Sequence, residues 1–470
     1  MRIDIYASVF LGDLDDYIQP SQACINPLFT SDASAASGAQ NGASRPAGVA
    51  KISLEISSDD WGVQPQTVKP NIIRTTEKEK ATISLDDCLA CSGCVTSAET
   101  VLISQQSCQE LLDVLSAKKY RHVVVTLNQQ KTVWTRPPSS VAVSSTKTEF
   151  VEPITSANPL QDPLKALPML ASSCPGWICY AEKTQPNAIP FIDTTKSPQQ
   201  IAGSLVKHMV SREQNIAPNE VYHVAVMPCF DKKLEASRKD FLSEEFNVKD
   251  VDCVLATTEI IELIASLNVD FMSLEPAVLS PQEIMLSGIS EDGSAVLGSS
   301  VNASSGGPLE HIFRYAAKEL FNVDVNGPLE YVVGRNPDFR EVTLVIEGQE
   351  VLKFAIAYGF RNIQSIMTKI RRNKCPYHYV EIMACPSGCL NGGGQIKPKS
   401  TLLASELLAN VTSRFQELQV RAPTDNPACK YVYEKYFAGQ PFSDGARQAF
   451  HTRYHAVPKL EQSNPLGIKW

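Results

Sequence analysis

Hydrophobic and polar positions along the chain follow two alternating patterns. Short runs rich in β-branched residues predict strands, and these runs lie at 122–126, 222–227, 251–256, 331–333 and 379–384. Between them, apolar residues recur every three or four positions, which predicts amphipathic helices. The helical stretches carry Ile260, Ile261 and Ile264; Ile363, Ile366, Met367 and Ile370; and Leu403, Leu407, Val411, Phe415 and Leu418. Such alternation indicates an α/β fold with mostly parallel sheet.

Local signals refine the ends of these elements. Thr257 and Thr258 offer a cap for the helix that follows the third strand. The runs 343–346 and 351–356 flank the sequence Glu-Gly-Gln-Glu and predict a β-hairpin. Arg371 lies where the next helix is expected to end, and its charge suits the helix dipole there. In sheets of this class, functional sites collect beyond the C-terminal ends of the strands.

Two stretches interrupt the alternation. Residues 31–50 are small, polar and aperiodic, which predicts a flexible linker or loop. Residues 128–164 are rich in Ser, Thr and Pro and show little helix or strand signal. We therefore expect this second stretch to be poorly ordered.

Composition narrows the class of protein. The 470 residues, of which 43% are hydrophobic, suffice for two or three domains with a sizeable core. The net charge of −8, without a tract of Lys or Arg, argues against a general binder of nucleic acid or anionic membranes. The first twenty residues lack the features of a secretory signal, and no stretch reaches the length of a membrane span. We therefore expect a cytoplasmic protein, with access to the nucleus.

The chain has 13 cysteines, which direct attention to metal chemistry because a reducing compartment disfavours disulfides. Five of them stand outside the motifs described below. The simplest interpretation is that each of these five is a small buried apolar side chain. They are Cys108, Cys179, Cys253, Cys375 and Cys429.

The first motif places cysteines at two-residue gaps, at Cys88, Cys91 and Cys94. One tight loop can point three such thiolates inward, and this spacing occurs where cysteines hold three corners of a cubane iron–sulfur cluster. A fourth ligand must come from elsewhere, and the candidates are Cys24 and Cys108. Zinc is the main alternative because it also takes cysteine ligands in a tetrahedral array. Zinc sites, however, more often show two separated Cys pairs.

A second constellation consists of three separated segments, each of which joins a strand-like run to a turn that contains cysteine. The first carries Cys174 before a proline, the second carries Cys229 after one, and the third carries Cys385 and Cys389 ahead of a run of glycines. Proline bends the chain off the strand, and glycines let the backbone approach a bulky inorganic ligand. Three strand ends would thus bring four thiolates together. Buried structural cysteines would explain any one segment, but not easily three with the same layout.

These residues resemble a known family. The three cysteine segments look like the signatures that hold the active-site cluster of iron-only hydrogenases. The N-terminal sequences at 13–18, 20–24 and 83–103 are similar to those of the cytosolic iron–sulfur assembly factors, the hydrogenase-like proteins also called nuclear prelamin A recognition factor-like. The resemblance covers 1–30, 82–127 and about 165–470, and it includes the sequences at 302–307 and 466–470.

The resemblance implies an iron-only hydrogenase-like two-lobed α/β fold with mostly parallel sheets, plus a small N-terminal cluster-binding region. It divides the chain into an N-terminal iron–sulfur region (1–105), a hydrogenase-like two-lobed domain (106–400) and a C-terminal helical segment with its tail (401–470). It further implies two 4Fe-4S clusters. Their ligands would be Cys24, Cys88, Cys91 and Cys94 for the first cluster, and Cys174, Cys229, Cys385 and Cys389 for the second.

This chain shares two site residues with the hydrogenases and departs from them at two other points. In those enzymes, the counterpart of Cys389 also bridges to a two-iron subsite, and the counterpart of Lys232 hydrogen-bonds a cyanide of that subsite. A second cysteine before the Cys174 position relays protons there, but this chain has Ser173, whose hydroxyl is far less acidic than a thiol. Family members also usually have a full βαβ unit before the first cysteine segment, whereas 128–164 is short here.

The resulting prediction is a non-enzymatic component of the cytosolic iron–sulfur cluster assembly machinery. It would bind two 4Fe-4S clusters and help to transfer clusters to apo-proteins of the cytosol and the nucleus. The expected partners are scaffold and targeting-complex proteins, including a WD-repeat adaptor, and apo iron–sulfur proteins, with no nucleic acid and no membrane. Two alternatives stay open: an iron-only hydrogenase or other electron-transfer enzyme, and a structural interaction protein stabilised by a metal such as zinc.

Overall fold

The computed structural model describes residues 2–6, 103–127, 167–243, 246–274, 296–297, 308–396, 398, 401–417, 419–420, 426–440 and 443–457. The predictions for 31–50 and 128–164 therefore lie outside the described residues. Within the described ranges, every helix is too short or too polar to cross a membrane.

Strands and helices alternate through most of the described chain, as the hydrophobic pattern predicts. The strands are β1 (Arg2–Tyr6), β2 (His122–Leu127), β3 (Met169–Ala171), β4 (Val221–Met227), β5 (Leu242–Ser243), β6 (Val248–Lys249), β7 (Cys253–Ala256), β8 (Val296–Leu297), β9 (Val332–Val333), β10 (Phe339–Ile346), β11 (Gln349–Tyr358), β12 (Tyr379–Met383) and β13 (Gln419–Val420). The helices are α1 (Cys108–Ala117), α2 (Pro175–Thr184), α3 (Pro198–Ser204), α4 (Asp231–Ala236), α5 (Thr257–Ser266), α6 (Leu309–Phe321), α7 (Phe360–Arg371), α8 (Thr401–Gln416), α9 (Pro427–Phe437) and α10 (Asp444–Phe450). A π-helical turn at Leu205–Val210 continues α3 into a short α-helix at Ser211–Glu213, and 3₁₀ turns lie at Pro186–Phe191, Pro218–Glu220, Lys239–Phe241, Phe271–Ser273 and Gly388–Asn391.

The first sheet has four parallel strands in the order β1-β2-β4-β7. One face packs against α1 through a cluster that includes Leu111, Val224 and Leu255. On the other face, Val124 packs against Val206 of the π-helical turn. Strand β4 is buried along its whole length, because both faces of the sheet are covered. This arrangement explains why its sequence is an apolar run rather than an alternating one.

The second sheet is mixed and has five strands in the order β3-β12-β11-β10-β9. Strands β3, β12 and β11 are parallel, whereas β10 and β9 are antiparallel additions at one edge. Strands β10 and β11 form the predicted hairpin, and its two-residue turn places Glu347 and Gly348 at φ values of 51° and 79°. Positive φ at both turn residues matches the right-handed twist of the flanking strands. In the core of this sheet, the Phe313 and Phe354 rings meet edge to face at 5.2 Å.

The structure corrects the predicted start of one helix. Helix α5 begins at Thr257 with Ala256 before it, so the prediction of a threonine cap is wrong. The Ala256 N–H donates instead to the Glu259 carboxylate at 2.7 Å, which satisfies a backbone donor at the helix start. Helix α8 ends at Gln416, and Leu418, the last apolar position of the predicted pattern, lies outside the described residues. The pattern predicted for α7 is confirmed, because all four of its apolar positions are buried.

The C-terminal helices α9 and α10 pack against α3. Their shared core joins Ile201 of α3 to Tyr433 and Phe450. Beyond α10, the Thr452 N–H donates to the Thr194 carbonyl oxygen at 2.8 Å. The end of the described chain is therefore fastened to the stretch between the first and second cysteine segments.

Candidate metal centre

Three strands end in the three cysteine segments. Cys174 follows β3 and occupies the cap position of α2, and Cys229 follows β4. Strand β12 is followed by Cys385 and then by Cys389 in a 3₁₀ turn. Strands β3 and β12 are neighbours in the second sheet, whereas β4 belongs to the first. The C-terminal ends of strands from both sheets therefore carry the candidate ligands, where sites of α/β sheets are expected.

Hydrogen bonds hold the first cysteine segment against the third. The Ser172 hydroxyl donates to the Ile382 carbonyl oxygen at 2.6 Å, and it accepts the Cys174 N–H at 3.1 Å. The Ala384 N–H lies 3.5 Å from the Cys174 sulfur. Backbone donors to sulfur tune the stability and the potential of iron–sulfur clusters. The fold thus supplies one such donor to Cys174.

The glycine run of the third segment packs directly on the second segment. A Cβ atom at Gly392 would lie 2.4 Å from the Pro228 carbonyl oxygen, and one at Gly394 would lie 3.1 Å from the Cys229 nitrogen. The Gly394 N–H donates to the same Pro228 oxygen at 2.8 Å. These contacts give Gly392 and Gly394 a structural reason to lack a side chain, beside the predicted room for an inorganic ligand. Both allow two cysteine segments to approach each other.

Burial and mutual repulsion raise the pKa of two interior thiols, Cys174 and Cys229. Burial raises the pKa of Cys174 to about 12, and the nearby Cys389 sulfur adds to the shift. Burial also raises the pKa of Cys229 well above its ordinary value, and Asp231 is the next cause. The sulfurs of Cys389 and Cys174 act on Cys229 in the same direction, so these three cysteines lie within electrostatic reach of one another. Metal binding at such thiols must release their protons.

The donor set of this centre fits a four-iron cluster. All four candidate ligands are thiols, which are the soft ligands that iron–sulfur clusters take, and in a four-iron cluster each cysteine binds a different iron atom.

The Gln395 Oε1 atom is buried and has no hydrogen-bond partner among the described residues. Its Nε2 atom lies 3.5 Å from the Cys389 carbonyl oxygen. In the described part of the chain, no group of three His, Cys, Asp or Glu is placed to hold one metal ion.

Lys232, whose counterpart in the resembled enzymes contacts a two-iron subsite, is paired with a carboxylate in this chain. Its Nζ lies 2.8 Å from Glu235 Oε2, and both side chains are buried. Glu235 also accepts hydrogen bonds from the Ser197 hydroxyl and, at 3.4 Å, from the Gln199 amide. None of these three partners is predicted from the sequence. The three-residue spacing on a helix could have indicated Glu235, but no local signal indicates the other two.

The four N-terminal candidates lie outside the described residues: Cys24, Cys88, Cys91 and Cys94. Cys108, the alternative fourth ligand, begins α1, and its Sγ lies 3.1 Å from the Glu259 carbonyl oxygen. It packs against the core of the first sheet, and burial raises its pKa to about 12. This packing engages Cys108 with the first sheet, which argues against Cys108 as the fourth ligand.

The other cysteines outside the motifs fall into two groups. Cys253 and Cys429 are buried, which confirms the simple interpretation for these two. Cys179 and Cys375 are partly buried. Ser173, which stands beside Cys174, is also partly buried.

The chain matches two protein families along its length. Residues 95–393 match the family described as "Iron only hydrogenase large subunit, C-terminal domain". Residues 408–457 match the family described as "Iron hydrogenase small subunit". The first match contains all three interior cysteine segments, and the second contains α9 and α10.

Curated relatives are similar over nearly the whole length. The mouse protein named "Cytosolic iron-sulfur assembly component 3" is 44% identical, with 98% of each chain covered. "Cytosolic Fe-S cluster assembly factor narfl" of Xenopus tropicalis is 41% identical with the same coverage. "Protein NAR1" of Arabidopsis thaliana is 39% identical, with 96% of each chain covered.

Solved structures share the fold. An iron-only (FeFe) hydrogenase matches with a TM-score of 0.61 over 74% of this chain and 98% of its own, at 22% identity. A variant of HydA1 from Chlamydomonas reinhardtii matches with a TM-score of 0.58 over 75% of this chain and 88% of its own, also at 22% identity. These matches confirm the hydrogenase-like α/β fold with mostly parallel sheets. Together with the curated relatives, they show that the chain belongs to the cytosolic iron–sulfur assembly factors of the iron-only hydrogenase-like family.

Proposed function

We propose that the chain binds two 4Fe-4S clusters and helps to transfer clusters to apo-proteins of the cytosol and the nucleus. The clusters supply the exchangeable iron–sulfur units, while the protein holds them, shields them from water and controls their release. The N-terminal ligands would be Cys24, Cys88, Cys91 and Cys94, and the interior ligands would be Cys174, Cys229, Cys385 and Cys389.

The observation that carries this proposal is the convergence of three cysteine segments from two different sheets. Ser172 ties the first segment to the third, and Gly394 ties the third to the second. Burial raises the pKa of the Cys174 and Cys229 thiols, and all four thiols are partly or fully buried, so a bound cluster would be shielded. The names of the curated relatives add support for a role in cytosolic iron–sulfur assembly.

Two features favour an assembly role without hydrogen turnover. Ser173 stands where the resembled enzymes carry a proton-relaying cysteine, and a hydroxyl is far less acidic than a thiol, which makes it a poor proton donor at neutral pH. Lys232 is engaged by Glu235, and this ion pair competes with any anionic ligand for the ammonium group. We therefore infer that the interior centre keeps a cluster rather than reduces protons.

The partners that we propose are proteins of the cytosolic assembly system. They comprise its scaffold, its targeting complex with a WD-repeat adaptor, and apo iron–sulfur proteins that receive clusters. A net charge of −8 suits partners of this kind better than nucleic acid or an anionic membrane. Access to the nucleus belongs to the same proposal, because iron–sulfur proteins of both compartments need clusters.

Cluster transfer between purified proteins tests the proposal. Anaerobically reconstituted protein is mixed with an apo four-iron acceptor, and the visible circular dichroism of the acceptor reports transfer. We expect transfer from the wild type, little from Cys88→Ala and normal transfer from Cys375→Ala, a control cysteine outside both candidate sites. Equal transfer by all three proteins, or by none, would contradict the proposal.

The hydrogenase fold supports one competing function, which is hydrogen evolution. It is tested with reduced dye as the electron source and with infrared spectra of the reconstituted protein. We expect no hydrogen and no bands from iron-bound carbon monoxide or cyanide. Elemental analysis addresses the structural alternative, since zinc without iron or acid-labile sulfide would favour a metal-stabilised interaction protein.

A further inference from the structure

The turn that carries Cys385 and Cys389 contains a residue in an unfavourable backbone conformation. Ser387 has a φ of 59°, in the left-handed region, which residues with a Cβ atom rarely adopt. Gly388 follows with a φ of 71°, and its N–H donates to the Cys385 carbonyl oxygen at 3.1 Å. Because glycine adopts this region freely and serine does not, the turn needs a contact that holds Ser387 in place.

Asp338 supplies such a contact from a distant part of the chain. The Ser387 N–H donates to Asp338 Oδ1 at 2.7 Å. Hydrogen bonds from a backbone N–H to a carboxylate are among the stronger ones in proteins. Both residues are partly buried, so water competes less for this bond than it would at an exposed site.

Asp338 is itself held by its backbone. Its N–H donates to Asn336 Oδ1 at 3.0 Å, and its carbonyl oxygen accepts the Tyr358 N–H at 3.0 Å. The side-chain amides of Asn336 and Asn362 exchange hydrogen bonds of 3.0 and 3.1 Å. Asn362 Nδ2 also donates to the Tyr358 carbonyl oxygen at 2.8 Å. The carboxylate that meets Ser387 is therefore preorganised by the ends of β10 and β11 and by the start of α7.

A second contact packs the start of α7 against the same turn. The N–H of Gly359, the residue before α7, donates to the Met383 carbonyl oxygen at 2.8 Å. A Cβ atom at Gly359 would lie 3.6 Å from Pro386 Cγ, which is an ordinary contact. The backbone on both sides of Cys385 thus rests on the elements that position Asp338.

The four interior cysteines differ in their exposure. Cys174 and Cys229 are buried, whereas Cys385 and Cys389 are partly buried. A chelator or an acceptor protein can therefore reach the two cysteines of the turn more easily than the other two. The conformation of the turn decides how readily this half of the site opens.

We propose that Asp338 is a positioning residue that sets how long the interior site retains its cluster. It holds Ser387 in the left-handed region, and with it the flanking Cys385 and Cys389 in the geometry that binds iron. Without this bond Ser387 relaxes to a more favourable conformation, the directions of the two thiolates change, and iron is lost sooner. The inference rests on the interior cluster of the proposed function.

Iron release from the full-length Cys88→Ala protein, in which only the interior cluster is expected, tests the role of Asp338. The rate of iron loss to a chelator is measured anaerobically with Asp338→Ala or Asp338→Asn added. We expect Asp338→Ala to accelerate the loss about fivefold to tenfold. Asp338→Asn should stay within about twofold of the Cys88→Ala parent, because the amide oxygen can also accept the Ser387 N–H.

Ser387→Gly provides a rescue that a merely structural role of Asp338 would not show. Glycine adopts a φ of 59° without a Cβ penalty, so the turn no longer depends on the carboxylate. Combined with Asp338→Ala, it should return the release rate to within about twofold of the parent. The midpoint potential of the interior cluster should shift in Asp338→Ala and return in the combined variant, because the potential depends on the surroundings of the sulfurs.

Asp252→Ala is the matched control. The Asp252 carboxylate also accepts a backbone N–H at 2.7 Å, from His223 in the first sheet, and it pairs with the buried Lys207. Its loss leaves that lysine unpaired, so the free energy of unfolding should fall at least as much as in Asp338→Ala. The rate of iron release should nevertheless change less than about twofold, because the two sites are independent.

Amide hydrogen exchange of the apo-protein gives a readout without metal. Asp338→Ala should raise the exchange of the Ser387 and Gly388 amides, and Asp252→Ala should not. Three outcomes would overturn the inference: parental iron release from Asp338→Ala, release from the combined variant with Ser387→Gly as fast as from Asp338→Ala alone, or equal acceleration by Asp252→Ala. Failure of the proposed function differs from all three, since the Cys88→Ala parent would then hold no four-iron cluster.

Discussion

The Arg238 guanidinium binds the Glu182 carboxylate through two parallel hydrogen bonds, of 2.7 and 2.8 Å. Glu182 also accepts the His455 N–H at 3.0 Å, and the guanidinium carbon lies 5.9 Å from the centroid of the Tyr454 ring. This pair fastens the C-terminal stretch to α2, the helix that begins at the first cysteine segment. The C-terminal end of the described chain is thus bound to the helix that has Cys174 at its cap position.

We expect Arg238→Lys to loosen this attachment. Lysine keeps the charge but loses the planar fork that meets both carboxylate oxygens, so the free energy of unfolding should fall by about 2 kcal/mol. Amide hydrogen exchange should rise in α9 and α10. The control is Arg414→Lys on α8, where the pair with Glu417 is exposed and a change within about 0.5 kcal/mol is expected. Equal effects of the two substitutions would contradict the assigned role of Arg238.

Gly392→Ala should disrupt the interior centre. The added Cβ would lie 2.4 Å from the Pro228 carbonyl oxygen, and backbone must shift to relieve the clash, at a cost of about 1–3 kcal/mol. Interior iron should be lost while the N-terminal cluster is kept. At the matched control Gly445, an added Cβ meets Phe437 side-chain atoms at 3.6 Å, an ordinary contact. A Gly392→Ala protein with full iron content would show that the second and third segments need no such contact.

His223 should make the apo-protein less stable in mild acid. Burial lowers the pKa of this imidazole to about 4 in the folded protein, against about 6.5 in the unfolded chain. Between these pH values the unfolded state binds the proton and the folded state does not, so stability falls as the pH is lowered from about 6.5 to about 4. The total effect is about 3 kcal/mol at most.

Urea unfolding at pH 7, 5.5 and 4.5 measures this dependence, and His223→Gln is the comparison. The variant should lack the part of the slope that His223 causes. Other buried groups that titrate nearby in pH, such as Glu381, whose pKa burial raises, contribute equally to both proteins. Identical slopes in the two proteins would exclude His223 as the cause.

The N-terminal cluster should be lost before the interior one. Closing its site joins Cys24 to Cys88 across the 31–50 segment, which costs loop entropy. Of the interior ligands, in contrast, Cys174 and Cys229 are buried and Cys385 and Cys389 are partly buried. A chelator time course on Cys88→Ala and Cys389→Ala, each retaining one proposed cluster, should show faster loss from Cys389→Ala. Equal rates would count against the difference in burial as the cause.

Local sequence patterns predicted those parts of the fold that local energetics determine. The strand at 222–227 is largely apolar because it is buried on both faces, and the hairpin turn has a glycine at position 348, where φ is positive. Each interior cysteine segment carries its proline or glycine signal within a few residues. These features needed no knowledge of distant contacts.

Long-range contacts account for what the sequence did not predict. The pairing of β1 with β2 at the edge of the first sheet joins residues more than 100 positions apart. No pattern in the sequence singles out Gln106 or Glu259, since their buried partners come from remote elements. The contact of Gly392 with Pro228 was not predicted, because Pro228 lies 164 positions earlier in the chain.

Mössbauer spectroscopy with iron and sulfide quantitation, on protein prepared without oxygen, tests the two-cluster account most directly. The wild type should contain about eight iron and about eight sulfide per chain in four-iron clusters, and Cys88→Ala and Cys389→Ala should each contain about four of both. A wild type with close to four iron, unchanged by Cys24→Ala and Cys88→Ala, would contradict it.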